Sequence, residues 1–481
     1  MTQARLRTPA ERYDDGVRLR KKAPRDIHAE LKGPSHRDPV AILAEADRTR
    51  VPELVPVRYE RMLESPFAFL RGAAAVMAED LRHQEMAGIP VQACGDCHLM
   101  NFGAFATPEE NIIFDINDFD ETLPGVDFTV DLKRLAASVA VAALAANFTE
   151  KRARATAAAC VEAYRRRMRS LAKLSPLEVW HSRIDLAKEI GRIEDPALRR
   201  QLRAIVAKTM GHIEQDDNFP HLVKGKKLHI ADRPPTIYHF TAKGGARRSV
   251  DAPRVFESYY DCLAPERRCL TDRYALKDVA FKVVGVGSVG TFCAVGLFMS
   301  GDGDPLFLQM KEAGASVLEC LAPRYKGHPG QRVVEGQRVM QAAADLFLGW
   351  TEDPKSRRHF YVRHLKNRRL GAIGEIVEER ALANYARLCG HTLARAHARS
   401  SDPVLIAGYM GKSEAFDDAL ASFAMAYAAR TKSDYDRLVK AKKNKGAGAK
   451  LDGGGGSKKG TAGSRKGTGA EPRGKSGFHK R

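Results

Sequence analysis

Cysteine is scarce in this sequence. Eight residues in 481, scattered along the chain, exclude a disulfide framework and fit a reducing compartment. Long apolar runs are also missing. No stretch reaches the roughly 18 apolar residues that a membrane span requires, which excludes a membrane partner by this route. The nearest, Leu135 to Phe148, is a short Ala-rich helix. The first 30 residues mix Arg, Lys and acids with no apolar core, so they do not read as a secretory signal, and a cytoplasmic location is expected. Acids are the minority charge, with 59 Asp and Glu against 79 Lys and Arg, for a net charge of +20.

That surplus is uneven. From Lys440 to Arg481 there are 13 Lys and Arg, two acids and 12 Gly. Such a segment buries too little surface to offset its ordering entropy, so 439–481 is expected to be a disordered basic tail with weak attraction for polyanions such as nucleic acid. The whole chain, at 44% hydrophobic and 29% charged, is ordinary for globular proteins.

Pattern divides the remainder. Residues 1–54, broken by Pro24, Gly33, Pro34, Pro39 and Pro52, read as an arm with one short helix near Ala41–Ala46. Residues 55–275 read as mainly helical, from Arg58 to Leu81 and from Asp131 to Lys173, with a strand at Ile112–Ile116. Residues 276–370 turn β-rich, with two strands around a Gly-rich turn, a third strand at 306–313, a helix from Arg332 to Phe347 and a strand at Phe360–Leu365. Residues 371–438 return to helix. The class is α+β.

Four segments carry reactive groups. Cys94-Gly95-Asp96-Cys97-His98-Leu99-Met100-Asn101 places an Asp and an Asn five positions apart on a loop. Asp115, Asp118, Asp120 and Glu121 crowd a strand end. Gly285-Val286-Gly287-Ser288-Val289-Gly290 is followed by strand rather than helix, which separates it from a dinucleotide fingerprint. Lys311 ends an apolar strand. Phosphoryl transfer needs each of these parts. Glycines let backbone approach a polyphosphate, a lysine neutralises it, Asp and Asn supply hard oxygens to magnesium, and a carboxylate orients the attacking hydroxyl. Asp96, Asn101, Asp118, Lys311 and the backbone at Gly285, Gly287, Ser288 and Gly290 fill those roles, with ATP and Mg2+ as cofactors. The CxxCH of Cys94 to His98 also matches haem attachment, but no export signal accompanies it. A zinc site lacks two further paired ligands, and a redox CxxC would leave Asp96 and Asn101 without a role.

Gly95-Asp96-x-His98-x-x-Asn101 resembles the catalytic loop of aminoglycoside phosphotransferase-type kinases, and Asp118-Phe119-Asp120 resembles their metal-binding motif. Leu393-Ala394-Arg395-Ala396-His397 resembles the helix that precedes that loop. The order along the chain is rotated, as a circular permutation would produce. The segments "SPFAFLRGAA", "CGDCHLMNFG", "FDINDFDET", "DLKRLAAS" and "VVEGQRVMQ" are similar to a bacterial family of uncharacterised proteins, domain of unknown function 2252. The resemblance implies a two-lobed, kinase-like, circularly permuted fold and an ATP-dependent phosphotransferase acting on an unknown hydroxyl acceptor. A non-catalytic nucleotide-binding module and nucleotidyl transfer by the same site are the alternatives. It implies Asp96 as base, and Asn101 and Asp118 as metal ligands, with Asp115 or Asp120 as alternatives. Lys311 would reach the phosphates, with Glu335, or Glu319, as its ion-pair partner. His98 would support the loop, and Arg71 would reach an acidic partner or a phosphate. Asp131 is expected to be structural, and Lys133 and Arg134 to lie on a solvated helix face, with the lining of an acidic-substrate cleft as the alternative.

Overall fold

Short polar caps and early prolines start most of the helices. Thr8 and Glu11 form a reciprocal capping box ahead of α1 (Pro9–Lys22), and Asp38 caps α2 (Pro39–Ala46). α3 (Val55–Met62), α4 (Pro66–Gly72) and α5 (Ala74–Leu81) replace the single helix expected over Arg58–Leu81. Ser65 and Pro66 restart the chain, because proline cannot continue a preceding helix. The computed structural model describes residues 7–34, 37–192, 219–224, 228–239, 250–283, 289–343, 345–365, 369–370 and 379–452, with Gly285, Gly287 and a few positions between 196 and 207.

Two small antiparallel pairs follow. β1 (Pro90–Ala93) pairs with β4 (Leu123–Asp127), and β2 (Phe102–Ala106) pairs with β3 (Ile112–Ile116). α6 (Phe128–Ala145) and α7 (Glu150–Leu171) carry the Ala- and Arg-rich run. Short elements come next: α8 (Pro176–His181), α9 (Leu186–Gly191), β5 (Leu222–Lys224), β6 (Leu228–Ile230), β7 (Ile237–Tyr238), α10 (Ala252–Asp261) and α11 (Pro265–Thr271). β8 (Tyr274–Lys282), β9 (Cys293–Ser300) and β10 (Pro305–Glu312) precede α12 (Pro329–Met340), β11 (Gly349–Glu352), β12 (His359–His364) and β13 (Arg369–Leu370). α13 (Glu379–Ala398), α14 (Pro403–Met410) and α15 (Ala415–Asp452) close the described chain.

The main sheet has six antiparallel strands in the order β11-β12-β10-β9-β8-β7. Strand alternation sorts its side chains by face. Leu308, Met310, Phe360 and Val362 join Phe256 and Phe292 in one core. Gln309, Lys311, Tyr361 and Arg363 alternate with them, and three of these meet the segment after β3. A larger helical core holds Phe128, Tyr164 and Leu393 from α6, α7 and α13.

Three expectations are corrected here. The arm contains α1, which packs against α14 so closely that a β-carbon at Gly16 would lie 2.1 Å from the Leu405 carbonyl oxygen. The helix expected over Arg332–Phe347 stops at Met340. Asp345 accepts from the Phe347 and His364 amides at 2.9 and 2.8 Å, and a side chain that captures backbone donors favours a turn over helix. The last helix continues past Val439 to Asp452, through Ala and Lys, which are strong helix formers. The remainder of the basic tail, 453–481, lies outside the described residues. The chain divides into two units, residues 1–438 and 439–481, and the second holds the end of α15. Among the described residues, no helix is long and apolar enough to cross a membrane.

Candidate active site

The loop after β1 is shaped by Asp131, in the first turn of α6. Its carboxylate accepts the Cys94 and Gly95 amides at 2.6 and 3.0 Å, and lies 3.1 Å from His397 Nε2. The other ring nitrogen of His397 is 2.9 Å from the Tyr164 hydroxyl. Gly95 sits at φ +93, and a β-carbon there would fall 2.2 Å from the Glu121 carbonyl oxygen. Gly95→Ala is therefore expected to cost about 3 kcal/mol or more, read as a lower denaturation midpoint in urea.

This turn presents Asp96. Arg134 Nε, from α6, donates to Asp96 Oδ1 at 2.6 Å, and a second nitrogen of the same guanidinium also reaches that oxygen. Arg134 Nη2 anchors itself on the Leu70 carbonyl at 3.0 Å. His98 Nε2 lies 3.6 Å from Asp96 Oδ2. Burial pushes the Asp96 carboxyl above the usual carboxylate range, while Arg134 and then Arg71 work against it. Burial, then Arg134 and Arg71, hold the His98 pKa well below its ordinary value. Asn101 Nδ2 donates to the Asp96 carbonyl at 2.5 Å, and the Asn101 carbonyl accepts the Asn117 amide at 2.8 Å. Asn101 thus ties the Asp96 loop to the residue before Asp118.

Lys311 arrives from β10. Its Nζ donates to Asp120 Oδ2 at 2.6 Å and lies 3.8 Å from Asp118 Oδ1. The Tyr361 hydroxyl donates to the other Asp120 oxygen at 2.6 Å. Burial would raise the Asp120 pKa, but Lys311, by charge and hydrogen bond, and Tyr361 hold it down at about 2. Burial and the neighbouring Asp120 raise that of Asp118. Lys311 is held above the usual lysine value, because Asp118 and Asp120 outweigh its burial. Arg332, in the first turn of α12, donates to the carbonyls of Thr122, Asp120 and Gly314. It fixes the acidic segment to the loop after β10. Arg363 Nη1 donates to the Asn117 carbonyl at 3.1 Å.

Several sequence expectations are overturned. Glu335 does not reach Lys311; its oxygens take the Tyr325 hydroxyl and the Gln331 amide at 2.9 and 2.7 Å. Glu319 instead faces Arg324 at 3.8 Å. Asp120 is the partner, because α12 directs Arg332 inward and Glu335 outward. Asp115 is fully buried, with Oδ1 on the Ile116 amide and Arg395, and Oδ2 on the Ala342 amide, so it has no oxygen to offer a metal. Lys133 and Arg134 are buried rather than solvated, with Lys133 Nζ 5.1 Å from the Phe423 ring centroid.

The Gly-rich connection between β8 and β9 lies beside this centre. A β-carbon at Gly287 would stand 3.2 Å from the Arg71 carbonyl oxygen and 3.5 Å from Asp96 Oδ2. Gly290, at φ +95, is gripped by the end of the N-terminal segment: Val51 donates its amide to the Gly290 carbonyl at 2.7 Å, and Arg50 Nη1 reaches the Val289 carbonyl at 2.5 Å. The arm therefore belongs to the site. Gly285 is exposed, and Ser288 lies outside the described residues.

Sequence reasoning missed Arg50, Arg332, Tyr361 and Arg363, and favoured a solvated face for Arg134. Of these, Tyr361 and Arg363 interrupt an apolar strand, which is a readable signal, whereas Arg50 and Arg332 sit among polar residues and carried none. With Arg71 and Lys311, the charged ones set six cations around Asp96, Asp118, Asp120 and Glu121. A surplus of cations around accessible carboxylates suits an anionic ligand that carries its own metal. Asp118 fits that role, since a third of its side-chain surface, 33%, is open while Lys311 is at 2%. Beside it, Phe105, Asn117, Gln341, Asp345, Arg363 and His364 line a small polar surface pocket.

Nothing among curated proteins or solved structures matches this chain. The family described as an uncharacterised protein conserved in bacteria, DUF2252, matches over residues 50–441, which takes in every element of the site. The chain that folds Asp96, Asp118 and Lys311 into one cleft is a member of the bacterial DUF2252 family.

Proposed function

We propose that this protein is an ATP- and Mg2+-dependent phosphotransferase with a kinase-like, circularly permuted fold, acting on a hydroxyl of a small molecule or protein. One observation carries the reading: Asp96, Asn101, Asp118 and Lys311, from segments up to 215 positions apart, converge beneath a Gly-rich hairpin loop whose Gly287 faces Asp96. The succession of Gly-loop hairpin, lysine strand and helix in β8, β9, β10 and α12 supports the reading, since a kinase small lobe runs in that order. The permutation is supported by the end of α13. There, Ser400 Oγ accepts the Gln92 amide at 2.9 Å, so the helix resembling the one before a kinase catalytic loop ends beside β1, which leads into that loop.

Asp118 and Asn101 Oδ1 would hold magnesium, which would neutralise charge on the phosphates as they transfer. Lys311 would exchange Asp120 for phosphate oxygens, and the glycine backbone would cover them. Asp96 would accept the proton of the acceptor hydroxyl as its oxygen bonds the γ-phosphorus and the bond to the β-phosphate oxygen breaks. Arg134 holds Asp96 in place for that step.

Calorimetric titration with ATP tests this. Binding is expected with Mg2+ and weakened about tenfold or more without it, or in Asp118→Ala, consistent with loss of a charged metal contact. Equal affinity in all three conditions would sink the assignment.

A further inference from the structure

Behind β3, a second group of arginines is short of partners. Arg395 is fully buried on α13, and its Nη2 donates to Asp115 Oδ1 at 2.5 Å and to the Met340 carbonyl at 2.6 Å. Its Nε and Nη1 are buried with no partner among the described residues. Arg399, four residues on, has the same two atoms buried and unpartnered. These are the only described arginines with two such nitrogens. Arg167, on the adjoining α7, also leaves its Nε without a partner among the described residues. Burying guanidinium N–H groups without acceptors is costly, so the arrangement calls for an acceptor.

The charge balance says which kind. Arg192 is paired with Glu189 at 2.5 Å. Glu189 also acts on Arg167, so Arg167, Arg192, Arg395 and Arg399 together face two carboxylates, Glu189 and Asp115, an excess of two positive charges. Their field is felt nearby: burial, and then Arg167 and Arg192, hold the His391 pKa down at about 4. Burial and Arg395 lower that of Arg399 to about 10, with Asp115 opposing. The group reaches the surface at one end, where Arg399 is only partly covered and stacks 4.0 Å from the ring of Trp180, which is 45% exposed. No hydrogen bond joins these arginines to Asp96 or Asp118 among the described residues.

We propose that Arg167, Arg395 and Arg399 form a second anion site, distinct from the Asp96 cleft, that takes a small dianion of the phosphate class. Arg395 braces Asp115, three positions before Asp118, so an occupied site would stiffen the strand that carries the metal motif. The inference does not depend on the proposed phosphotransferase activity.

The test uses thermal denaturation of the full chain in chloride buffer and in inorganic phosphate at equal ionic strength. Wild type is expected to gain a saturable rise in Tm with phosphate. Arg399→Met is expected to start above wild type in chloride, because an unpaired buried charge is removed, and to lose the phosphate rise. Arg167→Met, which keeps the Asp115 pair intact, should lose most of it. Arg71→Met, altered in the Asp96 cleft, should keep it. A full phosphate response in both Arg399→Met and Arg167→Met overturns the site. A response lost only in Arg71→Met assigns phosphate to the Asp96 cleft and overturns it equally.

Discussion

Asp96→Asn is expected to lower turnover by about 10²–10⁴-fold while leaving ATP affinity within a few fold, the usual contribution of a positioned base. The substitution keeps the shape of the side chain and removes its charge. Arg134 then sits almost fully buried against a neutral partner, so a stability loss of about 2 kcal/mol should accompany the loss of turnover. The pH profile separates these effects. A base must be deprotonated, so activity rises with pH through its pKa. For Asp96 that rise lies above the usual carboxylate range, because burial outweighs Arg134. In Asp96→Asn the residual rate should lose this limb. A mutant with wild-type turnover would leave the carboxylate as a structural partner of Arg134 and nothing more.

Lys311→Met should weaken ATP binding and turnover together, each by about tenfold or more, since the amine would contact phosphate in both ground and transition states. Its second effect is on the fold. Lys311 is almost fully buried and faces two carboxylates. Removing it leaves Asp118 and Asp120 in mutual repulsion, at a cost of about 3–5 kcal/mol for a broken buried pair. Millimolar Mg2+ should therefore raise the Tm of Lys311→Met more than that of wild type, because the cation replaces the lost charge between the two acids. Identical Mg2+ responses would mean that the acidic pair does not bind the metal. Lowering the pH acts in the same direction on wild type. Asp120 is held at about 2, so its share of stability is present above its unfolded pKa and fades as pH falls toward 2.

How much of this was legible in the sequence differs by element. Lys311 was readable, because a lysine at the end of an alternating strand pointed away from the apolar face that Leu308 and Met310 occupy. So was the strand–loop–strand around Gly287, from its alternation and its glycines. The α1 helix was signalled by Thr8 and Glu11, three residues apart, yet its polar composition made it read as an arm. The partners of the charges were not readable. Glu335 lay on the expected helix at a plausible position, but the rotation of α12 about its axis decides whether Glu335 or Arg332 faces the site. Core packing sets that rotation. The acids of Asp115 to Glu121 are alike in composition. One ends on Arg395 in the core, one on Lys311, and one is left open at Asp118.

By itself, the amino-acid sequence determined the class of elements, the loop at Gly95 to Asn101, the glycine hairpin and the family. These rest on short-range physics: capping, alternation, and backbone conformations that only glycine adopts freely. Tertiary structure alone decided which charges meet. Lys311 and Asp120 are 191 positions apart, and Arg395 and Asp115 are 280 apart. No local rule links such pairs. Burial makes an unpaired charge costly, so the packing that brings these segments together selects the partners and, through them, which carboxylate stays partly open to solvent.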